Sequence, residues 1–161
     1  MVRSPASRYV IWLSILVALM LQIMPMPLWA DVLRPDWVIL VLGYWTLALP
    51  ERVNVGVAFF TGLVLDILLG TVLGIHALAL SVVVFSLAAN YQRLRNYSVW
   101  QQAALVGLLA ALYHLVVFWL QHLLTDIYFI IDYLWPVVTT MLFWPWSFLI
   151  LRKLRRQFRV R

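Results

Sequence analysis

The 161-residue chain contains no cysteine and little charge. Without cysteine there is no disulfide, thiolate metal site, iron–sulfur cluster or thiol nucleophile. Charged residues make up 11% of the chain, against roughly 25% in an ordinary soluble domain. That is too little polar material to coat a soluble protein of this length. The glycine patterns of phosphate and dinucleotide loops are missing, as is a GxSxG nucleophile turn. There is no internal repeat, no low-complexity segment and no linker long enough to divide the chain, so residues 1–161 read as one domain.

What remains is apolar: 65% of the residues are hydrophobic. Prolines, glycines and charges cut the chain into six runs, at 9–24, 37–49, 53–69, 75–90, 99–120 and 134–151. A bilayer core takes about 20 helical residues to cross. The fifth and sixth runs suffice; the first, third and fourth need their flanks. The second reaches span length only by recruiting residues 33–36 or the PERV turn after it. The runs are continuously apolar and do not alternate, which excludes a barrel and leaves helices. An all-α integral membrane protein of six transmembrane helices is expected.

The charges orient it. With six spans and both termini in the cytoplasm, Arg3, Arg8, Arg52, Arg93, Arg95 and the six basic residues of the tail RKLRRQFRVR lie inside, and Arg34 alone lies outside. A five-span chain breaks this positive-inside pattern. The net charge of +6 is therefore a topology signal and not a sign of nucleic-acid binding. Trp29, Trp37, Trp100, Trp135, Trp144 and Trp146 fall near run ends, as an interfacial belt does. The first 30 residues also have the outline of a signal peptide, but Leu28 stands where a small residue precedes a cut, so the first run is read as a retained span.

Chemistry-bearing residues are sparse. His76, His114 and His122 show no metal-ligand spacing with one another or with a carboxylate. No metal, cofactor or catalytic residue is expected. His114 reads as a helix–helix hydrogen bond, and His122 falls in the outer headgroup region. Asp66 is the single carboxylate inside a run and has no paired acid for acid–base chemistry. A charge there costs about 2.5–3.5 kcal/mol on insertion scales, so it needs a partner. Ala58, Gly62, Asp66 and Gly70 recur every four residues as a stripe that admits a neighbouring helix closely. Counting from Val53 places Asp66 roughly 20 Å along its helix, in the outer third. The amides that open the fourth run, or Arg34 or His76, are its candidate partners. Two readings stay open: a structural clasp between spans three and four, or contact with a partner or polar cavity.

Two further elements carry the same double reading. In Arg34-Pro35-Asp36-Trp37, Pro35 opens a helix and Asp36 complements its dipole; partner contact is the alternative. Arg152, Lys153, Arg155 and Arg156 form an inner-leaflet anchor on anionic lipid, with docking to a cytoplasmic protein as the alternative.

Four stretches resemble the MreD family, the rod-shape-determining membrane proteins of bacterial wall elongation. They are VIWLSILVALMLQIMP, RPDWVILVLGYWTLALPERVNVG, TGLVLDILLGTVLGIHALALS and WPWSFLILRKLRRQF. The third is the most specific, with Asp66, Gly70 and Gly74 on the family's pattern. The resemblance implies a compact six-helix domain similar to the substrate-binding subunits of energy-coupling-factor transporters, in the bacterial inner membrane. It implies MreC as the primary partner, with MreB, RodA and a penicillin-binding transpeptidase in the wider complex. It implies a non-catalytic scaffold or regulator of lateral peptidoglycan synthesis. A substrate-binding or transport subunit for a small molecule or lipid is the alternative; an intramembrane enzyme ranks last.

Overall fold

The computed structural model describes residues 6–128 and 130–160. Arg3 and Arg161, counted on the basic side above, lie outside them. The regular structure among the described residues is helical throughout: α1 (Ala6–Ile23), α2 (Leu28–Asp31), α3 (Trp37–Ala48), α4 (Val55–Leu69), α5 (Ile75–Ala89), α6 (Tyr91–Leu94), α7 (Val99–Thr125) and α8 (Trp135–Gln157), with a 3-10 turn (Ile131–Leu134) leading into α8.

Local chemistry sets the boundaries. Asn54 caps α4 by accepting the Val57 amide at 3.2 Å. Ser98 and Gln101 form a reciprocal capping box at the start of α7. Pro136 sits in the first turn of α8, where its missing N–H is no loss. Pro145 lies inside α8, where it withholds the hydrogen bond due to the Met141 carbonyl.

α3 recruits neither flank. Leu49 has left the helical region ahead of Pro50, since a residue before proline is driven out of it. The helix is 12 residues long, about 18 Å, and nine of its residues are buried. A helix apolar on all sides belongs in the middle of a protein. α3 is there, with α1, α5 and α8 packed around it. α4 lies along α5, and α7 along α8 and α5.

The outer faces carry large apolar side chains, among them Trp12, Phe60, Phe85, Leu108, Trp119 and Trp146. Segments Val99–Thr125 and Ile131–Gln157 are long and apolar enough to cross a membrane; Arg8–Ile23, Trp37–Ala48, Val55–Leu69 and Ile75–Ala89 are shorter apolar helices. Trp29 and Trp100 are each 76% exposed, but Trp144 is completely buried. Trp144 is not a belt residue: its ring lies over Gly43, whose added Cβ would come within 3.3 Å of it.

Candidate functional site

The α4–α5 connection is built around Asp66. Gly70 takes a left-handed φ of 68° and ends α4. Its amide reaches the Ile67 carbonyl at 3.3 Å, and the Thr71 amide reaches the Asp66 carbonyl at 3.0 Å. This pair of bonds is a Schellman stop, which favours glycine because the left-handed region penalises a Cβ. Gly74, at φ 103°, then turns the chain into α5.

The Asp66 side chain points back across this turn. Oδ1 accepts from the His76 Nδ1–H at 2.7 Å, the Thr71 hydroxyl at 2.9 Å and the His76 amide at 3.1 Å. Oδ2 accepts from the Gly74 amide at 2.9 Å and the Ala77 amide at 3.5 Å. A helix start leaves amides without intrahelical partners and carries partial positive charge. Asp66 covers three of those amides on α5 while its own carbonyl anchors the end of α4. The side chain is fully enclosed.

Gly62 makes the approach possible. A Cβ there would lie 2.3 Å from the Ala77 Cα and 2.6 Å from its nitrogen. Ala58 is likewise completely buried. The stripe is thus turned into the molecule, except that Gly70 is exposed beyond the helix end.

Asp36 forms a second centre. It is 4% exposed and stands at the N-cap of α3, where its charge faces the positive end of the helix dipole, but its side chain makes no capping hydrogen bond. Its Oδ2 instead accepts from His114 Nε2–H on α7 at 2.7 Å. Thr140 on α8 accepts the Asp36 amide at 2.9 Å and donates its hydroxyl to Oδ2 at 3.3 Å. Both of these side-chain bonds go to Oδ2, which turns the carboxylate toward α7 and α8.

Arg34 is not a partner of Asp66. It pairs with Asp31 at 2.6 Å and donates to the carbonyls of Gln22 and Met24, at and just beyond the end of α1. Those carbonyls lack amide partners and carry partial negative charge, so a guanidinium is drawn to them. Gln22 in turn accepts the Trp37 amide at 3.1 Å, so the end of α1 is tied to the start of α3.

Tyr113 of α7 stands between the two aspartate–histidine pairs. Its ring centroid is 6.1 Å from that of His76 and 5.2 Å from that of His114. Five helices therefore meet at one polar seam inside an apolar protein. The reading of the sequence missed Tyr113, Thr140 and the pairing of Asp36 with His114. Depth was the available signal. His114 lies 15 residues into α7 and Asp66 11 into α4, roughly 22 Å and 16 Å from the N-terminal ends of their helices. Among the described residues no three His, Cys, Asp or Glu side chains gather into a metal-ligand group. Each acid is buried and paired with one histidine.

At the opposite end, Arg152, Arg155, Arg156 and Arg159 line a cleft of about 490 Å³ together with Val160. Lys153 does not line it. His122 lies outside both centres, stacked on Phe118 and donating from Nδ1 to the Ile127 carbonyl at 2.8 Å.

Apolar side chains facing outward, polar groups paired inward and two helices long enough to span lipid point to a membrane protein with a paired polar interior. The family described as "rod shape-determining protein MreD" matches residues 5–154. A curated relative, the rod shape-determining protein MreD of Haemophilus influenzae, is 39% identical over 150 residues, covering 91% of this chain and 93% of its own. The chain belongs to the MreD family. No solved structure matches it.

Proposed function

We propose that this protein is a non-catalytic component of the cell-elongation machinery. It crosses the bacterial inner membrane six times with both termini in the cytoplasm, and it binds or regulates MreC in support of lateral wall synthesis. The family's role in rod shape supports the reading. The observation that carries it is the direction of the polar groups. Asp66 and Asp36 are buried and bonded within the chain, so a partner meets the apolar outer faces and not a reactive pocket. Asp66, with Ala58, Gly62, Gly70, Gly74 and His76, is then an internal clasp of α4 on α5 rather than the docking surface.

The experiment is affinity purification of the tagged protein from its native membrane in mild detergent, with the co-purifying proteins identified by mass spectrometry. MreC and the wall synthase are expected. Recovery of an ATPase pair with a coupling membrane subunit would overturn the proposal in favour of a transport subunit.

A further inference from the structure

The arginine cleft at the end of α8 has a geometry that an inner-leaflet anchor does not require. Arg152, Arg155 and Arg156 follow the spacing i, i+3, i+4 on α8, and with Arg159 from beyond the helix they face one space of about 490 Å³. That volume lies within the roughly 300–1,000 Å³ typical of ligand sites. The chain end helps shape it. Arg159 adopts a left-handed φ of 48°, Val160 turns in to 2% exposure, and Arg155 Nε donates to the Val160 carbonyl at 3.4 Å. Arg155 is half-buried, while Arg152, Arg156 and Arg159 are exposed.

The charge there is in excess of local needs. A helix C-terminus presents about half a negative charge, and no acidic side chain is among the residues lining the cleft. Four guanidiniums converge on it, each always cationic and forked to grip phosphate oxygens two at a time. A single phosphodiester would leave most of that charge uncompensated.

We propose that this cleft is a discrete site for an anionic group carrying two phosphates, held one per chain. Two sources share that chemistry: the headgroup of a two-phosphate lipid in the adjoining leaflet, and a free diphosphate. Diffuse anchoring counts charges, whereas a site counts positions. Lys153 and Arg152 are neighbours of equal charge, and only Arg152 lines the cleft.

The test uses the full-length protein in neutral detergent, titrated with cardiolipin or with phosphatidylglycerol at equal phosphate, and separately with inorganic pyrophosphate. Occupancy is read by native mass spectrometry. The site predicts saturation at one cardiolipin per chain, at least about tenfold tighter than phosphatidylglycerol. Arg152→Gln with Arg156→Gln should weaken it by about tenfold or more, and Lys153→Gln by less than about twofold. Arg159→Gln, beyond the helix, serves where the double variant melts early. Saturable binding of pyrophosphate with the same arginine dependence, without a cardiolipin preference, supports the site and makes the free diphosphate its ligand. Equal loss from Lys153→Gln, or uptake that rises with lipid charge without saturating, would overturn the proposal. So would failure of both probes, which would leave the cleft to an acidic protein segment.

Discussion

Asp66 and Asp36 are both buried, and each meets a histidine nitrogen at 2.7 Å, yet they organise the molecule on different scales. Asp66 takes all its side-chain donors from the next eleven residues and closes one helical hairpin. Asp36 reaches 78 positions to His114 and 104 to Thr140, and so joins α7 and α8 to the start of α3. The local centre is dense: five donors surround one enclosed carboxylate. The long-range centre has fewer bonds, and His114 is 16% exposed at its side chain. Density fixes how much is lost when the acid is removed. Range fixes how far the loss spreads.

The largest effect is expected from Asp66→Ala. It leaves the Gly74, His76 and Ala77 amides and the His76 ring without their acceptor at the buried Asp66 position. Removing one member of such a buried set costs about 3–5 kcal/mol. Thermal melting in detergent should show it, with faster hydrogen exchange confined to residues 71–77. Gly62→Ala attacks the same hairpin by volume, because the nearest obstacle is α5 backbone and cannot rotate away. Overpacking of this kind costs about 1–3 kcal/mol, and the same melting assay reads it. Asp36→Ala should cost less than Asp66→Ala, about 1–3 kcal/mol. Its exchange signature is wider, covering α7 near His114 and α8 near Thr140. Gly74→Ala is the mildest, about 1–2 kcal/mol for a left-handed position in open space. A loss from Asp36→Ala larger and more local than that from Asp66→Ala would break the comparison.

The same difference in range explains what could be read from the residues alone. The helices fall on the apolar runs because prolines, glycines and caps punctuate them within a few residues. The amides and the histidine around Asp66 are its near neighbours in the chain, so their candidacy followed from spacing. The Asp36 centre depends on how α3, α7 and α8 pack, and nothing within ten residues of Asp36 points to His114 or Thr140. Trp144 failed for a related reason. Nearness to the end of a run was taken as nearness to the interface, whereas α8 runs from Trp135 to Gln157 and buries Trp144 against Gly43 on α3. Arg34 was offered to Asp66 by charge alone, while the carbonyls at the end of α1 were closer and equally in need of a donor. The division of the basic tail was partly present in its periodicity: 152, 155 and 156 share a face of α8 and 153 does not, whereas Arg159 joins them from beyond the helix through a left-handed turn.

If Asp66 is an internal clasp, it stabilises the protein without any partner. The direct measurement is the melting temperature of purified Asp66→Asn in detergent with no partner present, set beside its capture of MreC. Asparagine keeps the size and one acceptor but loses the charge and the second carboxylate oxygen. A clear drop in melting temperature is expected, with capture reduced only as far as the folded fraction falls. Unchanged melting together with lost capture would contradict it and place the carboxylate at the partner interface.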